Sequence, residues 1–460
     1  MPAVSTLTDS LGRRTALRAM FAVIVLLSAV QIGLAYQSSL AEGVDRAQRT
    51  LDPGTETDGF TVATAATGSN GQIVAWDENG TVRFRNDTYP EYFDADPSPV
   101  GKTTLLYTAS KTYTGPGCSD CALNVIERVN MTTGEVTRLY SHVIPYRGSV
   151  RYHDVDRIND THFVVADIAG DQVFIVDTET GIREWTYDAQ SVYTPESGGE
   201  FKGDWTHVND VEVLSDGRIM VSLRNHDSVV FLNRSTGQVT DWTLGTDDDH
   251  STLYEQHNPD YIPRANGGPN VIVADSENHR VVEYHRTEDG EWTQVWTWTD
   301  DRLTWPRDAD RLPNGHTLVT GSGSDRVMEI DESGSIVWSA SITMPYEAER
   351  LGTGSESANG PAASEAGLQS RTGAEDTESA NEGDGSSGRL EVPGMLEVWL
   401  FVKNALPGPL VNGLLFVLPS WLGTSDLPAL VGLAGALGTW TLSELYWFGV
   451  RIRSPVTRRV

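Results

Sequence analysis

The sequence predicts an all-β protein. Residues 59–351 read as a six-bladed β-propeller, with a transmembrane helix on its N-terminal side and another on its C-terminal side. Three observations lead there. Short β-rich runs recur with a period near 50 residues. Asn-Gly, Asp-Gly and Thr-Gly turns separate them, and no long amphipathic helix intervenes. Two apolar stretches flank this body, each next to arginines.

Composition bounds the function. The chain has 460 residues, with 64 acidic against 34 basic and a net charge of −30. Such a charge repels phosphate backbones, so nucleic acid is not expected as a partner. Four residues are lysine (Lys102, Lys111, Lys202 and Lys403) and the other basic residues are arginine. An aspartate-rich, lysine-poor chain is typical of salt-adapted archaeal proteins, although a GC-rich genome also favours arginine. Cys118 and Cys121 cannot complete a four-cysteine zinc site. Outside the cell they read as a small local disulfide; otherwise they are free thiols or a catalytic pair.

The elements follow in order. Residues 1–18 carry Arg13, Arg14 and Arg18 and read as a cytoplasmic N-terminus. Residues 19–41 have no charge and are long enough to span about 30 Å of hydrocarbon. A cleaved signal peptide has a shorter apolar core, so this stretch reads as a retained anchor. After the propeller, 352–390 is rich in Gly, Ser, Ala, Glu and Asp and reads as a disordered acidic linker. Residues 396–424 are apolar but broken by Pro407, Pro409 and Pro419, as in an interfacial or re-entrant segment. Residues 427–450 hold one charge, Glu444, and read as a second transmembrane helix before the basic tail 451–460. The positive-inside rule puts both termini in the cytoplasm and the propeller outside the cell membrane.

The repeat is explicit. His153-Asp-Val-Asp-Arg, Asn209-Asp-Val-Glu-Val and Arg307-Asp-Ala-Asp-Arg open three units that align without a gap. A fourth, from His257, needs a two-residue insertion around 266–269. The aligned Asp154, Asp210, Asp260 and Asp308 are 56, 50 and 48 residues apart. With two earlier copies this gives six blades of four strands. The first blade shows three strands, near Phe60, Ile73 and Val82, so a strand from the C-terminal end should close it.

Residues just ahead of each innermost strand gather at one mouth of a propeller channel. The aligned positions hold His153, His207, Asn209, His257 and Arg307, and Arg224 follows the next strand of the His207 blade. Three of the ten histidines fall in this band. The repeated aspartates read as caps for turn N–H groups. Neutral imidazoles beside guanidinium groups suit a tetrahedral oxyanion, and arginine disfavours a metal cation there. Histidine can also act as a covalent nucleophile. Lys111 is a further candidate for holding the anion. Trp205, Tyr261 and Trp305 either stack on an aromatic ligand or only pack.

Asp-Trp-Thr-His207-Val-Asn209-Asp-Val, Arg224 seventeen residues after His207, Gln-His257-Asn-Pro-Asp-Tyr and His153-Asp-Val-Asp-Arg together resemble the arylsulfate sulfotransferase family. The resemblance covers about residues 60–350. It implies a six-bladed propeller that moves a sulfuryl group from a phenolic sulfate to a phenol. It implies no nucleotide donor, no metal and no other cofactor. His257 would be the nucleophile that forms sulfohistidine. His207, Asn209 and Arg224 would hold the sulfuryl oxygens, with Arg307 and Lys111 as further binding groups. His153 would bind the same group or act as acid and base. The extra N-terminal β-domain of bacterial members has no counterpart between anchor and propeller. Two other readings are a non-catalytic cell-surface propeller and a metal-dependent propeller hydrolase or lyase. Five Asn-x-Ser/Thr sequons, at Asn79, Asn86, Asn130, Asn159 and Asn233, suit a surface location.

Overall fold

A computed structural model of the chain describes residues 2–44, 50–51, 59–354 (except 69, 100–101, 116 and 146–149), 356–357, 359–372, 410 and 427–448. The predicted tail 451–460, the apolar segment 396–424 save one residue, and 373–390 of the predicted linker lie outside these residues.

Six antiparallel sheets form the propeller. Their innermost strands are Pro345–Arg350, Glu91–Pro97, Tyr152–Arg157, Val208–Val213, His257–Ile262 and Pro306–Arg311, in blades one to six. Blade one is closed as the sequence predicts. Pro345–Arg350 pairs with Thr61–Ala65 and supplies the missing inner strand. Turn chemistry sets the strand ends. Gly217 and Gly315 adopt φ of 86° and 88° in the hairpins that leave the inner strands of blades four and six, a region open to glycine. Alternate strand residues then face the seams between blades, where Val, Ile, Phe and Trp bury completely. One seam packs Val164, Val173, Trp205 and Val221; another packs Trp296, Trp298, Val319 and Met328.

The predicted linker is corrected over its first part, because the described residues of 352–372 pack on the propeller. The Glu283 carboxylate accepts the Ala363 N–H at 3.0 Å and the Arg311 guanidinium at 3.0 Å. Ala362 donates to Asn266 O at 2.8 Å. Ala362 and Ala363 join the apolar cluster around Trp296 and Trp298. Arg371 bridges to Trp298. The segment escapes a composition argument because small residues here dock by backbone hydrogen bonds. The two-residue insertion placed at 266–269 is the loop that receives it.

A separate unit contains the helices Pro2–Val44 and Leu427–Trp447. The first is continuous through the predicted cytoplasmic segment and anchor. Its stretch Arg14–Leu34 is long and apolar enough to cross a membrane, as an anchor or a signal sequence would be. The second forms a helix, yet among the described residues Arg14–Leu34 alone meets that measure. Glycines, threonines, Ser443 and Glu444 dilute its hydrophobicity. The helices run antiparallel, with Arg18 bidentate to Glu444 at 2.6 Å and Phe21 stacked on Trp440.

Candidate active site

Every inner strand opens with a bulge or an irregular pair. The residue just ahead of it is left-handed at His207 (φ 46°) and Trp305 (φ 53°), with Glu255 (φ 44°) and Met344 (φ 50°) close to the same place. Non-glycine residues seldom adopt this conformation. Its recurrence makes it a property of the turn, which aims the following side chains across the channel mouth.

Strand register revises the alignment in blade five. Ser222, Ala274 and Thr320 each stand five residues before a left-handed residue, Asp227, His279 or Asp325. Ser222 pairs with Asp210 and Thr320 with Asp308, but Ala274 pairs with His257. Asp260 pairs with Ile272, level with Glu212 on Met220 and Asp310 on Leu318. His257 therefore occupies the level that aspartate holds in the neighbouring blades.

The aspartates do not cap turns. Two of them tie one inner strand to the next. Asp154 accepts the Val211 N–H, and Asp308 accepts the Ala348 N–H at 3.0 Å. Burial raises the Asp154 carboxyl to about 7 and that of Asp156, two residues on, to about 6.

His207 is held on both nitrogens. Nδ1 meets the Asp204 carboxylate at 2.7 and 2.8 Å, and Nε2 lies 3.3 Å from Arg224 Nη1. A carboxylate only accepts, so Nδ1 carries the proton and Nε2 faces the guanidinium. Burial, then Arg224, pushes His207 down to about 4. Burial opposes charge on Asp204, yet His207 and Arg224 hold its carboxyl at about 2. Arg224 also reaches Glu255 at 3.3 Å.

His153 stands edge-on to His207, ring centroids 5.1 Å apart, and stacks on Phe93 at 4.4 Å. Its Nδ1 is 2.9 Å from the Tyr346 hydroxyl. Tyr346 also meets the His257 ring edge-on at 6.0 Å, and the Arg307 guanidinium lies 5.2 Å from the Tyr346 ring. His257 is 1 % exposed. Its Nδ1 lies 3.1 Å from Glu255 O and 2.8 Å from Ser276 Oγ, and that hydroxyl donates to Pro306 O at 2.6 Å. The carbonyl accepts only, which puts the proton on Nδ1 and a lone pair on Nε2. Nε2 is buried without a hydrogen-bond partner. Burial, then the cations Arg307 and Arg224, holds the ring neutral.

The structure thus brings together His153, His207, His257, Arg224 and Arg307. Two expected residues stand apart. Lys111 lies over the Tyr89 ring at 5.2 Å, and none of its described contacts reaches the histidines. Asn209 is fully buried and donates to Gln256 O at 2.9 Å, which braces the residue before His257. Cys118 and Cys121 form a disulfide in the long hairpin of blade two. Trp205 is buried and donates to Ser197 O, Tyr261 packs against Phe231, and Trp305 lies under Arg307. Asp204, Ser276, Phe93 and Tyr346 were not singled out from sequence. Asp204 opens the Asp-Trp-Thr-His motif, and its spacing of three from His207 was a usable signal. Tyr346 lies on the closing strand, beyond the recognisable repeats.

Residues 48–260 match the family model for arylsulfotransferase (ASST). The match includes His153, His207, Asn209, Arg224 and His257, and stops before Arg307 and Tyr346. It supports a relation to that family. No curated protein matches the chain. Among solved structures, a protein of unknown function from Bacteroides caccae is similar at 13% identity and a TM-score of 0.42, over 63% of this chain and 98% of its own. The Pseudomonas aeruginosa periplasmic gluconolactonase is similar at 14% identity and a TM-score of 0.41, over 66% and 88%. A streptogramin B lyase gives 11% and 0.38, over 65% and 90%. These likenesses carry no weight for the chemistry.

Proposed function

We propose that the protein is a membrane-tethered aryl sulfotransferase whose propeller faces the cell exterior. It takes a sulfuryl group from a phenolic sulfate, holds it on His257, and passes it to a second phenol. The observation that carries this reading is the geometry at His257: Nδ1 is hydrogen-bonded to Glu255 O and Ser276 Oγ, and Nε2 is buried without a partner.

In the first half-reaction Nε2 attacks sulfur. The N–S bond forms, the S–O bond to the aryl group breaks, and the phenolate leaves with the electron pair. The ring becomes cationic, so Nδ1–H donates more strongly to Glu255 O and Ser276 Oγ. Those hydrogen bonds strengthen as charge develops, which is where they accelerate a reaction. Arg224 and Arg307 match the sulfuryl oxygens, and the Nδ1-protonated His207 stays oriented by Asp204. The His153–Tyr346 pair relays a proton from solvent to the departing phenolate and, in the second half-reaction, from the incoming phenol back to solvent. Reversal with the second phenol frees His257. Asn209 keeps the Gln256 carbonyl, and so the His257 backbone, in place.

The test is transfer from nitrophenyl sulfate to a phenol in high salt. Wild-type protein should release nitrophenol in a phenol-dependent manner and carry one sulfuryl group on His257 when the acceptor is withheld. His257→Ala should lose both. Equal release by His257→Ala would remove the nucleophile. No release by wild type with any phenol would leave a ligand-binding propeller.

A further inference from the structure

Further along the channel from the histidines, two groups of three carboxylates share Glu356. Asp96, Glu349 and Glu356 bring one carboxylate oxygen each within 4.8 Å of one another, and so do Asp260, Asp310 and Glu356. They come from the inner strands of blades one, two, five and six and from the packed segment after the propeller. No arginine, lysine or histidine side chain pairs with any of them among the described residues. The segment is drawn in tightly: Glu356 N–H donates to Glu349 at 2.9 Å, Ser357 donates to Asp260, and Arg311 N–H donates to Ser357 Oγ at 2.6 Å. Glu356 holds a left-handed φ of 54° to do this.

Three of these carboxylates have an oxygen with no partner: Asp96 Oδ1, Asp260 Oδ1 and Asp310 Oδ2. The three residues are 5 %, 0 % and 2 % exposed. Asp260 meets the carboxyls of Asp310 and Glu356 directly, so its surplus acceptor capacity is turned inward. Buried acceptors without donors are costly, and buried like charges are costlier. Hydrogen-bond donors already reach Asp260 and Glu349, yet acceptors remain to spare.

We propose that this end of the channel binds one calcium ion through Asp260, Asp310 and Glu356, the group with two orphan oxygens, with Asp96 and Glu349 adjoining it across Glu356. An all-oxygen donor set selects a hard cation. Calcium takes six to eight oxygens in adaptable geometry, whereas magnesium keeps several waters and prefers fewer carboxylates. A channel end lined by five carboxylates, four of them buried, suits the former. The ion would fasten residues 356–357 to blades five and six and take no part in chemistry at the histidines. Two other carboxylate–histidine groups, around Glu184 and around His250, hold between them one buried residue, Asp227, and no buried orphan acceptor, so they carry no such inference.

Full-length protein, purified with a chelator in molar potassium chloride, is dialysed against calcium or magnesium and assayed for bound metal and melting midpoint. We expect one retained calcium per chain and a midpoint that climbs with each tenfold rise in calcium, as linkage requires. Magnesium should give a smaller rise. Glu356→Gln should lose the retained ion and the calcium dependence. Asp310→Asn replaces it should that variant fail to fold. Wild-type protein with no retained calcium and one midpoint in calcium and chelator overturns the proposal. Calcium retained equally by wild type and Glu356→Gln overturns it too, by placing the ion on the exposed groups.

Discussion

The Tyr346 hydroxyl lies 2.9 Å from His153 Nδ1, although 193 residues separate the two in sequence. Burial raises the Tyr346 phenol far beyond its ordinary value. Burial also drives His153 down, with His207 and the arginines adding to the effect. Both groups stay neutral at working pH, and the pair can pass a proton without holding charge.

Tyr346→Phe keeps the ring against His153, Phe93 and His257 and removes only the hydroxyl. Transfer should fall about a hundredfold, within the range for a positioned proton-transfer group. Steady-state rates with phenols of graded acidity check this. The loss should be smallest with the most acidic phenols, which need least help with the proton.

Ser276→Ala leaves Glu255 O to orient His257 but removes the hydroxyl that links Nδ1 to Pro306 O. A net hydrogen bond of about 1 kcal/mol corresponds to roughly a fivefold fall in rate. Single-turnover formation of the sulfuryl-enzyme measures it. Binding of the sulfate ester should stay near wild type.

The acidic channel gives stability an unusual pH dependence. The channel carboxyls have folded values above the ordinary carboxylate range, near 7 for Asp154 and 6 for Asp156. Their contribution is present below about pH 4 and is lost as pH rises through 6 and 7. His207, held near 4, acts oppositely: its contribution is present above about 6.5 and lost as pH falls through 4. Carboxyls outnumber histidines in the channel, so in chelator the melting midpoint should fall from pH 5 to pH 8. Thermal melts across that range decide it; a rising midpoint would contradict the carboxyl assignments.

Gly360 passes so close to blade six that a Cβ on it would lie 1.9 Å from Arg311 O. Gly360→Ala should displace the packed segment and destabilise the protein by about 1–3 kcal/mol. Denaturant titration of the full chain measures this. Had 352–372 been a free linker, the same change would have no effect.

Arg18 and Glu444 form a bidentate pair between antiparallel helices. Cysteines replacing both residues should cross-link under mild oxidation in isolated membranes. A pair replacing Arg18 and Ala429, near the opposite end of the second helix, should not. Equal cross-linking would remove the antiparallel arrangement.

Much of the architecture was legible because it repeats. The 48–56-residue period, the Gly turns and the incomplete first blade together led to six blades and a borrowed closing strand. The histidine band was legible for the same reason, since aligned positions converge on a propeller axis. What a linear alignment missed was register. A bulge changes level without leaving a gap, so Asp260 aligned with Asp154, Asp210 and Asp308 while the folded strand puts His257 at that level. Tyr346 was missed because its strand belongs to blade one but is written after blade six. Lys111 looked apt by charge alone, and its position over Tyr89 is visible only in three dimensions. The segment 352–372 was misread because composition reports apolar content and not hydrogen bonds such as Ala363 N–H to Glu283.

Closing the ring with Pro345–Arg350 sets a timetable for making the protein. Every other strand of the propeller precedes Tyr346 in the chain and is synthesised before it. Until that strand docks between Thr61–Ala65 and the mouth, His153 lacks its hydroxyl partner and the ring is open. The histidine site is therefore completed only once the last strand of the propeller is in place.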